Sequence, residues 1–360
     1  MRILYVITST DVGGAEQALV SLVRAVGKKH TVRVVCLKPL GSLSSEIRQT
    51  GAQLVSLQMT GAGLGIISKL VKEIESFKPD VVHAMLLRAI EFTRLACAGR
   101  NVKLVTTPHF DFSHQPGWIR LLDRALKNTD TVSCAESVNT YQYLLSNQHY
   151  EKSKTQLIPN DVKKSLFFKD NFLKSRIRDE KNISGVEVVY ICVARLAKIK
   201  NQIGLLRAFS KILPNCPHAK LVLVGEGPER TNLEKFIQDH NLQEKVILAG
   251  EQKNINEWLN MADVFVLFST EESLPLALLE AQQVGLPCIV SQIGDMPSRV
   301  IHGKNGFVCK TKDEMLLSCL LTELYENTKL RQNMAKETLH LASRAQDSIK
   351  RYEQIYETVI

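Results

Sequence analysis

Short apolar runs alternate with segments of helical periodicity along the whole chain, the pattern of an α/β fold built on parallel sheets. Residues 1–8 (MRILYVIT), 31–37, 52–58, 80–86, 102–108, 130–135 and 155–159 read as successive strands of a first domain. Helical segments lie between them, such as Glu16–Val26 and Ile66–Phe77, the latter with Ile67, Leu70, Val71 and Ile74 on one face. The rhythm fails over 163–184, a polar, charge-rich stretch that reads as a connector. It resumes with strands at 186–196, 220–227, 245–251, 263–269, 286–291 and 306–309, and the end of the chain is helical in pattern. The expected architecture is α/β, with two Rossmann-like domains facing each other across a cleft. Residues 1–165 form the first domain and 166–341 the second, while a C-terminal helix at about 342–360 packs back on the first. Open sheets of this kind bind ligands at the carboxyl ends of their strands.

Composition narrows the classes. With 360 residues, 44% hydrophobic and 23% charged, the chain is long enough for two cores and is neither disordered nor fibrous. No apolar run approaches the roughly 18 residues of a membrane span, and Asp11 cuts the opening run short, so it reads as a first strand and not a signal segment. The eight cysteines are scattered without a Cys-x-x-Cys pair, which fits reduced thiols in the cytoplasm and argues against disulfides or a zinc site. The net charge of +9 is one-sided. Residues 1–175 hold 23 basic and 14 acidic side chains, whereas the remainder holds 23 of each. The asymmetry fits either ordinary surface variation or an anionic partner for the first half, a membrane surface before a nucleic acid, because no basic motif interleaved with aromatics is present.

Several nucleotide-handling signatures are missing. Neither domain opens with G-x-G-x-x-G: Asp11-Val-Gly13-Gly14 offers a glycine pair, and Gly225-Glu-Gly227 lacks the third glycine. No phosphate-binding loop ending in Lys-Ser/Thr occurs, and no Asp-x-Asp to hold a divalent ion on a diphosphate, so no metal is expected. An anionic ligand would be left to side-chain cations and helix ends. Arg195 closes the strand of 186–196, and Lys200 comes just before a helical pattern. In 263–289 a strand ends at Ser269, a loop carries Glu271 and Glu272, and Pro275 is placed to open a helix. The unpaired amides of that first turn form a site for a diphosphate. Glu280 lies about 7 Å further along the axis, the separation of a diphosphate from the ribose of one nucleotide. Glu272 is on the loop, where a sugar would lie. Spacing alone would not single out this pair; the strand–loop–Pro–helix context does.

In this order and spacing the motifs resemble those of the family 4 retaining glycosyltransferases of GT-B fold, nearly end to end. Gly13-Gly14-Ala15-Glu16 resembles the family's glycine loop beneath the donor phosphates, and Pro79-Asp80-Val-Val-His83 and Thr107-Pro-His109 resemble its next landmarks. Val-Ala-Arg195-Leu with Lys200-Asn201 resembles the diphosphate-binding pair, and Glu272-x7-Glu280 the family's Glu-x7-Glu. Gly-Leu-Pro287 and Asn305-Gly306-Phe307 resemble the motifs usually found after it. Three positions depart from the pattern: Ser273 stands for the common Gly, Asp161 for the Gly after Asn160, and Ser298 for a common Glu.

The resemblance implies transfer of a sugar from a nucleotide-sugar, a UDP-sugar by the family's habit, to a lipid-linked or cell-surface glycan acceptor such as a lipopolysaccharide precursor. It implies retention of anomeric configuration and no cofactor. Arg195, Lys200, Glu272 and His109 are the expected catalytic residues. Donor contacts are expected from Gly13, Gly14, Arg195, Lys200, Glu272, Ser273, Leu274, Leu276 and Glu280. His109 directly succeeds a strand, and the family places a His there against the donor sugar; His83 is open between site and structure. Residues 115–128 set Trp118, Leu121, Leu122, Ala125 and Leu126 beside Arg120, Arg124 and Lys127, a basic amphipathic helix suited to peripheral contact with an anionic membrane. The same apolar face packed on its own sheet fits the pattern equally well. Two other readings remain open: a nucleotide-sugar epimerase or phosphorylase on the same plan, and a non-catalytic sugar-nucleotide-binding membrane scaffold.

Overall fold

The computed structural model describes residues 1–11, 13–61, 63, 65–109, 115–162, 165–343 and 347–360. Val12 beside the glycine pair, and Lys163 and Lys164 of the polar stretch, lie outside the described residues. The chain forms two compact units, Met1–Asn160 with Asp347–Ile360, and Asp161–Gln346.

Unit 1 runs β1 (Arg2–Ile7), α1 (Gly14–Val26), β2 (Thr31–Cys36), α2 (Ser44–Gln49), β3 (Gln53–Ser56), α3 (Ile66–Phe77), β4 (Val81–Met85), α4 (Leu87–Cys97), β5 (Lys103–Thr107), α5 (Gly117–Leu126), β6 (Val132–Ala135), α6 (Val138–Ser146) and β7 (Thr155–Leu157). Unit 2 runs α7 (Asn171–Glu180), β8 (Val188–Val193), α8 (Gln202–Ile212), β9 (Ala219–Val224), α9 (Arg230–Asp239), β10 (Val246–Gly250), α10 (Ile255–Met261) and β11 (Val264–Leu267). It continues with α11 (Leu276–Val284), β12 (Cys288–Ser291), α12 (Met296–Arg299), β13 (Gly306–Cys309), α13 (Glu314–Glu326) and α14 (Thr328–Ser343). The closing helix α15 (Ser348–Val359) belongs to unit 1.

Every pairing is parallel, in the orders β3-β2-β1-β4-β5-β6-β7 and β10-β9-β8-β11-β12-β13. Parallel strands are covered on both faces, so their side chains are apolar in unbroken runs; Ile3 through Ile7 are all buried. Each sheet grows outward from its first strand in one direction and then in the other. This leaves a topological switch point between β1 and β4 in unit 1, and between β8 and β11 in unit 2.

The polar stretch 163–184 is not simply a connector. It contains α7, which the helical pattern did not reveal because its inner face is charged. Lys174 Nζ donates to Asp263 Oδ1 at 2.6 Å, Arg178 pairs with Asp263 Oδ2, and Arg178 Nε donates to the Met261 carbonyl at 2.9 Å. Burial opposes ionisation of Asp263, but the two cations outweigh it and hold the carboxyl below its ordinary range.

His83 is structural. It sits fully buried in β4, with Nδ1 2.7 Å from the Tyr356 hydroxyl and Nε2 2.9 Å from Thr107 Oγ1. Burial, with His109 adding to it, pushes its pKa down to about 3, so it is neutral. Tyr5 donates to the Tyr356 hydroxyl, and the Tyr352 hydroxyl lies 3.3 Å from Thr107 Oγ1. These aromatic groups fasten α15 to the sheet of unit 1.

A second buried polar cluster centres on Arg94 of α4. Its guanidinium forks onto Asp130 (Nε to Oδ1 2.8 Å, Nη2 to Oδ2 2.6 Å), donates through Nη1 to Asp123 at 2.7 Å and to Glu91 at 3.2 Å, and through Nη2 to Tyr150 at 2.7 Å. Asp123 is the one buried residue of α5, so this helix presents its acidic side to the protein. The alternative of an apolar face packed on the sheet does not hold for it. Removing one member of such a cluster strands buried charge, at a cost of about 3–5 kcal/mol. Arg94→Met is therefore expected to lower the melting temperature of unit 1 by roughly 10 °C or more. A calorimetric shift of no more than a degree or two would contradict this placement of the cluster.

Candidate active site

The switch point of unit 2 gathers the residues singled out for anion binding. The chain leaves β8, passes Arg195, makes a short turn over Lys198–Lys200, and enters α8 through Asn201 in the left-handed region. Alongside, it leaves β11, passes Ser269, and reaches Pro275, the N-cap of α11. The Thr270 amide donates to the Ile199 carbonyl at 2.7 Å and ties the two strand-end loops together. Lys200 Nζ is ion-paired with Glu272 Oε1, and Ser269 Oγ donates to the same oxygen at 3.2 Å. Two residues 72 positions apart are thus in direct contact, and the cation is already engaged by a carboxylate. Arg195 is exposed on the same loop. Helix geometry leaves the first-turn amides of Leu276 and Ala277 without an acceptor inside α11. Leu274 and Leu276 turn their side chains to a small apolar cluster with Val162 and Leu279, which leaves only their backbone groups to meet a ligand.

Glycines outside any nucleotide fingerprint hold these loops in place. Gly225 has φ +139, and a Cβ there would meet the Ala194 carbonyl oxygen at 2.1 Å; one on Gly227 would meet the Leu196 carbonyl oxygen at 2.3 Å. The Gly-x-Gly that fails as a nucleotide fingerprint is thus the bed on which the Arg195 loop lies. Gly294, at φ +54, lies under the Glu272 and Ser273 carbonyls, and the Asp295 amide donates to Ser273 O at 2.9 Å. Gln202, buried at the start of α8, donates from Nε2 to the Arg195 carbonyl at 2.9 Å. No single one of these contacts has a local sequence signal beyond a glycine after a strand.

Glu280 sits half-buried on α11, and burial alone pushes its pKa up to about 7. Among the described residues no cation offsets that burial. Neither is any group of three His, Cys, Asp or Glu placed to hold a metal ion among them.

The other candidates belong to unit 1. Gly13 and Gly14 come after β1 and open α1. The Glu16 carboxylate folds back over Gly13, where a Cβ would come 2.4 Å from Glu16 Oε2, and Ser9 Oγ donates to Oε1 at 2.9 Å, whereas a Cβ on Gly14 would meet nothing within 4 Å. A carboxylate therefore shares this loop, which is not a bare phosphate cradle. His109 lies just beyond β5 with φ +54, its Nε2 buried without a partner among the described residues, and burial lowers its pKa to about 4. Leu86, after β4, holds φ +71 and ψ 142, a conformation costing about 1–3 kcal/mol in a non-glycine residue.

Glu280 gives a pH test. Its folded pKa lies above its ordinary value of 4.5, so the folded chain binds more protons than the unfolded one between about pH 4.5 and 7. Its contribution to stability is therefore intact below that window and lost as pH rises through it. Glu280→Gln is expected to match wild type in thermal stability near pH 4 and to exceed it above pH 8 by an amount on the order of 2 kcal/mol. A difference independent of pH would show that the carboxyl is not held this way.

The chain matches two sequence profiles, "Glycosyltransferase Family 4" over residues 12–164 and "Glycosyl transferases group 1" over residues 174–340. It is 28% identical over 311 residues to N-acetyl-alpha-D-glucosaminyl L-malate synthase of Bacillus anthracis, covering 82% of this chain and 79% of that protein. It is 31% identical over 255 residues to UDP-Gal:alpha-D-GlcNAc-diphosphoundecaprenol alpha-1,3-galactosyltransferase of Escherichia coli, covering 69% and 60%. Among solved structures, Anabaena Alr3699/HepE in complex with UDP-glucose superposes with a TM-score of 0.88 at 21% identity, over 100% of this chain and 99% of that one. Two α/β units with these switch points, matched by both profiles, place the chain among the family 4 glycosyltransferases of GT-B fold, and it is a glycosyltransferase.

Proposed function

We propose that the protein transfers a sugar from a UDP-sugar to a lipid-linked or cell-surface glycan acceptor, with retention of anomeric configuration and without a metal ion. The observation that carries this reading is the meeting of Lys200 and Glu272 at the switch point of unit 2, with Arg195 on the same loop and the start of α11 beside it. As the bond from the anomeric carbon to the diphosphate breaks, its electron pair stays on the leaving phosphate oxygen. The acceptor hydroxyl oxygen then forms the new bond to the sugar, and the proton it loses passes to the departing diphosphate oxygen. Arg195, Lys200 and the first-turn amides of α11 stabilise the charge that grows on the diphosphate, where fixed donors accelerate a reaction most. Lys200 exchanges its bond to Glu272 for the diphosphate, and Glu272 is freed to accept from sugar hydroxyls. Glu280 accepts from the ribose hydroxyls, and His109 is the residue of unit 1 proposed to take part in catalysis. A UDP donor and an acceptor on a polyprenyl diphosphate are supported by the name of the E. coli relative. Such an acceptor lies in a membrane, and an anionic bilayer is the partner proposed for the basic first half of the chain.

The reading is tested by thermal shift in EDTA with UDP, GDP and their sugars, then by turnover. UDP is expected to stabilise the protein in EDTA, and Arg195→Ala and Lys200→Ala each to lower kcat by about 10²–10³-fold. UDP affinity is expected to rise up to about pH 7 and level off, since the ribose needs the Glu280 carboxylate ionised; Glu280→Gln should lose that dependence. An absolute requirement for a metal, or full turnover by both alanine variants, would overturn the mechanism.

A further inference from the structure

Helix α12 joins the Glu272 loop to the place where the chain enters unit 2, and we infer that Arg299 is a positioning residue whose charge ties the two together. The backbone of this short helix is fixed at both ends. At its start, Gly294 lies under the Glu272 and Ser273 carbonyls, and the Asp295 amide donates to the Ser273 carbonyl at 2.9 Å. At its end, the Arg299 carbonyl accepts from Gln282 Nε2 of α11 at 2.8 Å and from Asn305 Nδ2 at 2.9 Å. Both donors belong to buried residues, so the main chain at 299 is held without help from the arginine side chain.

That side chain has another task. Arg299 is half-buried. Burial lowers the pKa of its guanidinium, and the negative charges of Asp161 and Asp295 oppose the shift. Asp295 is a buried neighbour on the same turn of chain, but Asp161 comes from far away in sequence and is the first residue of unit 2. It also stands where the family pattern has Gly. Its Oδ1 accepts from the Val162 amide at 2.7 Å, and Val162 packs with Leu274, Leu276 and Leu279. The entry segment is therefore held to the active-site stretch in two ways, by apolar contact through Val162 and by charge between Asp161 and Arg299. A glycine at 161 supplies the first hold alone. The stretch so fixed runs from Glu272 into the first turn of α11, and its placement sets where the loop carboxylate and the unpaired amides stand.

This inference rests on the proposed donor site and adds a residue that acts on it through the loop. Calorimetric titration of the full chain with UDP in EDTA tests it, on wild type, Arg299→Met, Asp161→Asn and the double variant. Each single variant is expected to bind UDP about tenfold more weakly, and the double variant no more weakly than either, because one coupling is lost only once. Arg299→Lys keeps the charge and is expected to bind within about threefold of wild type. If Arg299→Met binds UDP as wild type does while Arg195→Ala and Lys200→Ala weaken it, the donor site stands and this inference fails. Two single effects that multiply in the double variant would show that Arg299 and Asp161 act separately, which also overturns it. A lower melting temperature in Arg299→Met, with UDP affinity not recovered by Arg299→Lys, would assign the side chain to packing alone and contradict a role for its charge. A wild type that binds no UDP removes the donor site and the inference together.

Discussion

Everything proposed for the active site depends on how a parallel sheet reverses its strand order. Where β8 lies beside β11, both chains leave the sheet at the same end and no connection covers the gap. Arg195 and Lys200 come from one strand end, Glu272 and the start of α11 from the other. The contact between Lys200 and Glu272 is the direct sign that the two ends converge. The loops that carry these groups are held by backbone packing, since Gly225 and Gly227 under the Arg195 loop and Gly294 under the Glu272 loop let neighbouring carbonyls approach closer than any Cβ would allow. A site fixed in this way needs little reorganisation when charge develops.

At rest the lysine and the loop carboxylate of the site occupy each other. Lys200 is occupied by Glu272, and Glu280 sits in a place that favours its neutral form. On the proposed function a UDP-sugar would alter both at once, because it brings anionic oxygens for the cation and hydroxyl donors for the carboxylates. Binding free energy would then depend on a ligand that carries diphosphate, ribose and sugar in one molecule. A ligand with only one of these parts leaves some charge poorly matched.

The same physics decides how much of the molecule was legible in its sequence. Strands buried on two faces read as apolar runs, which is why the thirteen strands among the described residues lie within or beside the runs seen in the sequence. The helix entered through Pro275 was legible from a local rule. Features fixed by charges far apart in the chain were not. Nothing around α7 shows that Lys174 and Arg178 meet Asp263, and nothing around α5 shows that Arg94 pulls Asp123 inward. His83 illustrates the same limit, since both of its ring nitrogens are occupied by partners distant in sequence. Glu16 could be read as part of a glycine motif, but not as a carboxylate lying over Gly13.

A crystal structure with UDP soaked in the presence of EDTA tests the central claim most directly. The account places the diphosphate between the Arg195 guanidinium, Lys200 Nζ and the first turn of α11, with the Lys200–Glu272 pair opened and the ribose on Glu280. UDP bound elsewhere, or bound with Lys200 still on Glu272, would contradict it.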